Sequence, residues 1–500
     1  MNYGPHRPTV NHLTRTKWHT TAIVFVGFSL QVWGLARQSL WFDEAFSATV
    51  AGVGWPVFWT ALLVDGVHPP GYYLLLRGWL ALTGPGEFAL RFPSVAAATV
   101  SIPLIFQIGR QLHSRRLGLA AAALLAVNPF AWWYAQEARM YSLLLCLTLF
   151  SGYAFWQLTR RPGPKWTALL AGASAAGFLI HYFLLAFSLV QFVYLLVTLK
   201  ANHRVLRWWA ASQAAAIVPF LPWAWAVARR EGGGFGINWI PPVTVADLPL
   251  TLANLAFAAH RPDWPVTWAS VLLVGGAVAL GVSAVRRSFG AQSKATGPFL
   301  WWVGLWLALP LLLVWFFSLR QPLYVDRYFI LSLPALLLLL ACVRLLPKRR
   351  GNLALSILLL ASGAGLLRMH IEPEFTKEDW RAAARTVQAA EQPGDALIVR
   401  SVQSSIAFGY YYRGVLTPQT GSVNEQTFPP ESLIGDSRRV WLVYRRPFRP
   451  THAFAGSAPF SWRDVDDPVL GPWLNAHRNY LADEITLPGV YVTRYQLPAR

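Results

Sequence analysis

Charge is what this chain has least of. Only 13% of its 500 residues are Asp, Glu, Lys or Arg, where a soluble domain carries roughly 25%. Acids are scarcest, 23 against 43 basic residues, for a formal net charge of +20. Cysteine occurs twice, at Cys146 and Cys342, each inside an apolar run. That spacing excludes a disulfide framework and a cysteine-based metal site. With 55% hydrophobic residues and a mean hydropathy of +0.37, intrinsic disorder, a collagen-like repeat and a soluble globular class are all excluded. What remains is a polytopic membrane protein.

The basic excess would suggest nucleic acid in a soluble protein. Here the basic residues sit in short clusters between long apolar runs, the pattern by which a bilayer fixes orientation. No nucleic-acid partner is expected. Membrane lipids, and an anionic lipid-linked substrate, suit the charge better. The basic lead (Arg7, Arg15, Lys17) precedes an apolar run over 20–36 with no small-residue cleavage site after it, so it reads as a retained first span.

Runs long enough for a hydrocarbon core of ~30 Å lie near 20–36, 92–110, 117–134, 140–158, 166–183, 184–199, 208–228, 266–284, 298–317, 328–346 and 351–368. That predicts about eleven transmembrane helices. The shorter piece 71–83 is settled by charge. If it does not cross, six basic clusters fall on one side: Arg7/Arg15/Lys17, Arg110/Arg115/Arg116, Arg160/Arg161/Lys165, Lys200/Arg204/Arg207, Arg286/Arg287/Lys294 and Arg344/Lys348/Arg349/Arg350. The segment 71–83 is therefore expected along the outer interface or as a re-entrant piece. The N-terminus is placed in the cytoplasm, in a cell or inner membrane.

After about residue 370 polar residues return. Lys377 to Ala390 reads as an amphipathic helix, and Asp395 to Arg400, Arg439 to Tyr444 and Val490 to Gln496 as strands. The chain is thus expected to be an all-α membrane domain, 1–370, followed by a soluble extracytoplasmic α/β domain, 371–500.

Ionisable residues at the membrane boundary are costly to bury and are candidates for function. Trp41-Phe42-Asp43-Glu44-Ala45 places an acidic pair after an aromatic stretch, where a carboxylate can act as a general base. Asp43 could instead simply cap a helix starting at Glu44, and for this pair alone capping is the stronger reading. Asp65 and His68, in Asp65-Gly66-Val67-His68-Pro69-Pro70, are candidate acceptor or metal contacts, or loop hydrogen-bonders. His181, at the end of the fifth run, belongs with them. Glu137 and Arg139 flank Ala138 between two spans and could be a local ion pair. Tyr324-Val325-Asp326-Arg327-Tyr328 offers Arg327, whose planar fork suits a phosphate and which could also simply snorkel. Glu231-Gly232-Gly233-Gly234-Phe235-Gly236 reads as a lid or a plain linker.

Several of these stretches come in a familiar order. Trp41-Phe42-Asp43-Glu44-Ala45, His68-Pro69-Pro70-Gly71-Tyr72-Tyr73, Phe88-Ala89-Leu90-Arg91-Phe92-Pro93-Ser94 and Gln136-Glu137-Ala138-Arg139-Met140-Tyr141 resemble glycosyltransferase family 39-like proteins of the GT-C fold. These include the protein O-mannosyltransferases and the lipid A aminoarabinose transferase. The likeness is densest over 38–160 and continues through Arg327-Tyr328 and Lys377-Glu378-Asp379-Trp380. At His68-Pro69-Pro70 the chain departs from the Glu-Lys-Pro triplet of the lipid A transferases, which argues against a lipid A acceptor and against a metal there.

The resemblance implies transfer of a sugar from a polyprenyl-phosphate donor to an extracytoplasmic acceptor, a glycan, lipid or protein hydroxyl or phosphate. Asp43, Glu44 and Glu137 would be the catalytic acids. Arg139, Arg327, Tyr324 and Arg91 would bind the donor phosphate. His68, Asp65 and His181 would contact the acceptor or a metal. No cofactor is firmly implied; a divalent metal is a candidate. The anomeric configuration should invert, since no second carboxylate is placed as a nucleophile. The competing class is a transporter or flippase for a lipid-linked or anionic solute. Such proteins usually carry their charges at the midplane, often with internal repeats, and no repeat is visible here.

Overall fold

The computed structural model describes residues 10–198, 203–230, 240–260, 264–289, 296–420, 433–445 and 470–498. The glycine-rich stretch Glu231–Gly236 lies outside them, as do Arg7, Lys200 and Lys294 of the basic clusters. The chain divides into two compact units. One comprises Met1–Trp33, Trp59–Leu75 and Arg91–His370; the other comprises Gly34–Phe58, Leu76–Leu90 and Ile371–Arg500.

Every one of the eleven apolar runs is helical over most of its length. Among the described residues, six helices are long and apolar enough to cross a membrane: Glu87–Leu112, Tyr141–Arg160, His203–Ala228, Pro265–Phe289, Gly297–Ser318 and Lys348–Ile371. A seventh is the pair Arg115–Ala126 and Pro129–Ala135, if their 56° bend lies within one span. The other four runs fall in Val10–Val32, Pro164–Ile180, Phe183–Thr198 and Leu333–Leu345.

The bend has a local cause. Pro129 opens the second half without an N–H to donate, and Asn128 caps it by accepting from the Ala131 N–H at 2.8 Å. The same Asn128 amide donates to the carbonyls of Leu255 and Ala256 at 2.9 and 3.1 Å, so the break is held by another helix. Elsewhere small residues let backbones approach. A Cβ on Gly118 would lie 2.4 Å from the Phe106 carbonyl oxygen, which fixes Glu87–Leu112 tightly against Arg115–Ala126.

Burial separates the helices of the first unit. Tyr141–Arg160 has 72% of its apolar window buried, against 28% for Pro265–Phe289 and for Lys348–Ile371. The first is a central helix; the others leave apolar flanks for lipid. Around the centre, Trp302 stacks on Phe155 at 4.9 Å and lies 5.4 Å from Trp306. The Trp306 indole donates to the Leu331 carbonyl at 2.7 Å, tying this aromatic core to the 3-10 turn Asp326–Leu331.

In the second unit a mixed five-stranded sheet has the order β2-β1-β3-β5-β4, with β1 Ala396–Val399, β2 Gln419–Thr420, β3 Arg439–Arg445, β4 Leu481–Leu487 and β5 Val490–Gln496. β1 pairs in parallel with β2 and β3, while β5 runs antiparallel to β3 and β4. Three of these strands match the sequence expectation; β2 and the half-exposed β4 were not anticipated. On one face Ala396, Ile398, Val440, Leu442 and Tyr444 bury against Leu470, Trp473 and Leu474. The expected amphipathic helix begins three residues later than read, at Trp380, because Asp379 caps it by accepting from the Ala382 N–H at 3.0 Å.

Candidate active site

In the first unit the loop after Asp65 turns through Gly66 at φ +58°, where an added Cβ would strike Arg230. The left-handed φ is what favours glycine there, since the Arg230 side-chain end could shift aside. The turn brings His68 back to Asp65, with Nδ1 to Oδ2 at 3.2 Å. The other ring nitrogen, Nε2, meets Nη2 of Arg139 at 3.2 Å. A guanidinium only donates, so His68 Nε2 accepts and the proton sits on Nδ1, donated to Asp65. The chain Asp65–His68–Arg139 therefore orients the guanidinium through a neutral imidazole.

Arg139 is 3% exposed and Glu137, two residues earlier, 2%. Arg139 also donates to the Tyr73 hydroxyl at 3.4 Å, and its own carbonyl accepts from the Ser94 hydroxyl at 3.0 Å. Arg91, one turn before Ser94, is buried as well. Burial raises the Asp65 carboxyl, but the hydrogen bond from His68, with the positive charge of Arg139 behind it, outweighs that and holds it below its ordinary value.

His181 completes the cluster. Its ring lies 6.0 Å from His68, 5.9 Å from Tyr141 and 5.6 Å from Tyr328. Nδ1 accepts from the Phe183 N–H at 3.2 Å, so the neutral ring carries its proton on Nε2. Arg327 sits over the Tyr141 and Tyr328 rings at 5.9 and 5.8 Å. Tyr134 packs on Tyr141 at 5.0 Å. So the structure gathers Asp65, His68, Arg139 and His181, and joins Arg327 to them through aromatic rings.

Tyr324 goes elsewhere. Its hydroxyl donates to Thr251 at 2.9 Å, and Thr251 and Asn254 each reach the buried Asp326 carboxylate at 2.6 Å. This cradle fixes the turn that carries Arg327. The sequence reading missed Thr251 and Asn254; the available signal was two polar residues three apart in a helix that, after Asp247, is otherwise apolar.

In the second unit the helix Phe42–Gly52 starts earlier than the capping reading of Asp43 requires. Its cap is Trp41, whose side chain makes no capping bond, and Asp43 lies inside the first turn. The capping reading is thereby corrected. Glu44 is 0% exposed and pairs with Lys377 at 3.0 Å, a partner the local sequence gave no means to find. Among the described residues no group of three or more His, Cys, Asp or Glu side chains is gathered for a metal.

Comparison with known proteins supports the resemblance. A family model described as dolichyl-phosphate-mannose-protein mannosyltransferase matches residues 67–225. An undecaprenyl phosphate-alpha-4-amino-4-deoxy-L-arabinose arabinosyl transferase of Yersinia pestis is 25% identical over 249 residues, 48% of this chain and 42% of the relative. The match thus spans less than half the length of that curated relative. Among solved structures, ArnT from Cupriavidus metallidurans bound to undecaprenyl phosphate superposes with a TM-score of 0.60 at 13% identity, covering 97% of this chain and 98% of the other. The Archaeoglobus fulgidus oligosaccharyltransferase, in complex with Zn and sulfate, gives 0.55 at 12%, covering 85% and 68%. The fold is that of a helical integral membrane protein of the ArnT type, with a C-terminal mixed sheet.

Proposed function

We propose that the chain is a membrane glycosyltransferase that moves a sugar from a polyprenyl-phosphate donor to an acceptor oxygen outside the cytoplasm. The observation that carries this reading is Arg139, a buried guanidinium oriented by the Asp65–His68 relay and by Tyr73 inside the stretch that the mannosyltransferase family model matches. Charge at that burial is costly to maintain and is well spent on an anionic leaving group.

In this reading Asp43 takes the proton from the acceptor hydroxyl as the acceptor oxygen bonds to the anomeric carbon. The bond from that carbon to the lipid phosphate breaks with its electron pair, and polyprenyl phosphate departs. Arg139 and Arg327 neutralise the growing phosphate charge. Glu137 orients the acceptor or supports Asp43. Arg91 contributes to the donor site; Tyr324 acts through the Asp326 turn. One displacement inverts the anomeric centre. The topology that goes with it has eleven crossings, a cytoplasmic N-terminus and the region after 370 outside, as the basic clusters suggest.

The test is Asp43→Asn, which keeps size and removes the base. Turnover of an undecaprenyl-phosphate-linked sugar should fall by about 10²–10⁴-fold while undecaprenyl phosphate still binds. Wild-type turnover in that variant sinks the assignment.

A further inference from the structure

Within the second unit, the segment that leads into the Asp43 helix is tied residue by residue to the stretch after 376. The Lys377 N–H donates to Gln38 Oε1 at 2.6 Å. The Ser39 hydroxyl donates to the Glu378 carbonyl at 2.7 Å and accepts from the Trp380 N–H at 3.1 Å. The Leu40 N–H donates to the Tyr411 hydroxyl at 2.7 Å. Arg381 donates to the Ala36 carbonyl at 3.2 Å and to Glu87, and Tyr411 donates to that same carboxylate.

The last link is ionic. Lys377 Nζ meets Glu44 Oε2 at 3.0 Å, and the two side chains are 7% and 0% exposed. Removing two charges from water is costly, so such a pair persists only where the surroundings over-determine its geometry. Here they do, since the backbone of Lys377 is anchored on Gln38 and its side chain on Glu44, six residues further on. Adjacent residues on a helix point about 100° apart, so a Glu44 turned to Lys377 aims Asp43 in another direction. Asp43 is half-buried where Glu44 is fully buried.

We propose that Lys377 is a positioning residue for Asp43: by binding Glu44 it locks the first turn of Phe42–Gly52 and neutralises the carboxylate next to the base. The inference rests on the reading of Asp43 as that base. The C-terminal region then serves catalysis as a clamp on the first loop, and Glu44 is an anchor.

The full chain in nanodiscs tests this, with a synthetic undecaprenyl-phosphate sugar that the wild type turns over. Lys377→Met should lower kcat by about 10–100-fold, the range for groups that orient a first contact, with KM for the donor little changed. Hydrogen exchange in a peptide covering 42–52 should quicken. Lys377→Arg should restore most of the rate. The double variant Glu44→Gln/Lys377→Met should recover part of the loss, because neither charge is left buried alone. Wild-type kcat in Lys377→Met, unchanged exchange over 42–52, or strictly additive losses in the double variant overturns the proposal. Asp43→Asn, run alongside, separates the two readings: if it is inactive while Lys377→Met is normal, only the clamp fails, and if it is itself normal, the base assignment fails and the clamp's catalytic role with it.

Discussion

The two units each bury a basic side chain beside a partner, and they do so to opposite electrical effect. In the second, Lys377 faces the Glu44 carboxylate at 3.0 Å, and the contact cancels both charges. In the first, Arg139 faces a neutral imidazole at 3.2 Å, and that contact fixes direction without itself supplying an opposite charge. The first contact directs a donor; the second ties Lys377 to the helix Phe42–Gly52. A buried cation is therefore read from its partner's charge, and burial alone does not distinguish the two uses.

The contrast can be broken by changing the partner or the cation. Arg139→Met should produce the largest effect of the set, a loss of about 10²–10³-fold in kcat, as for removal of one preorganised donor to developing charge. Arg139→Lys should recover little of it, because an ammonium lacks the planar fork; full recovery would show that charge suffices without direction. His68→Gln, whose amide can still donate to Asp65 and accept from Arg139, should lose no more than about 10-fold, and His68→Phe more, within the 10–100-fold range of orienting groups. Equal rates in the two variants would remove the relay from the argument.

The smallest effect is thermodynamic. Asp65 has a folded-state value below its ordinary one, so its contribution to stability is present above about pH 4 and is lost as pH falls through the lower folded value. With its side chain 24% exposed, that contribution is under ~1 kcal/mol. Asp65→Asn should flatten the acid side of the melting-temperature profile below about pH 5. A profile identical to wild type would show that the Asp65–His68 contact adds nothing in solution.

Much of the molecule was legible in advance because the relevant properties are local. Apolar runs showed where the helices lie, since a span is set by length and hydropathy. β1, β3 and β5 announced themselves by β-branched content, whereas β4, LADEITL with mixed exposure, carries too little apolar alternation to be seen. Asp43, Glu137, Arg139 and Arg327 stood out as charges at the edges of apolar runs. Tyr324 was noticed for its neighbour, and its own contact lies far off in sequence. Its neighbour Arg327 drew it into the donor site, while Thr251, 73 residues away, claims its hydroxyl.

Taken by itself, the sequence determined membrane residence, the helix positions and the inventory of costly charges, because each follows from the free energy of transferring a short stretch of side chains out of water. Which charge meets which was decided only by the tertiary structure. Glu44 and Lys377 are 333 residues apart and His68 and Arg139 are 71 apart, separations over which periodicity and hydropathy carry no information. Pairing depends on how turns, caps and close helix contacts bring distant segments together, and at these sites it is the pairing that separates a guanidinium directed by an imidazole from an ammonium matched to a carboxylate.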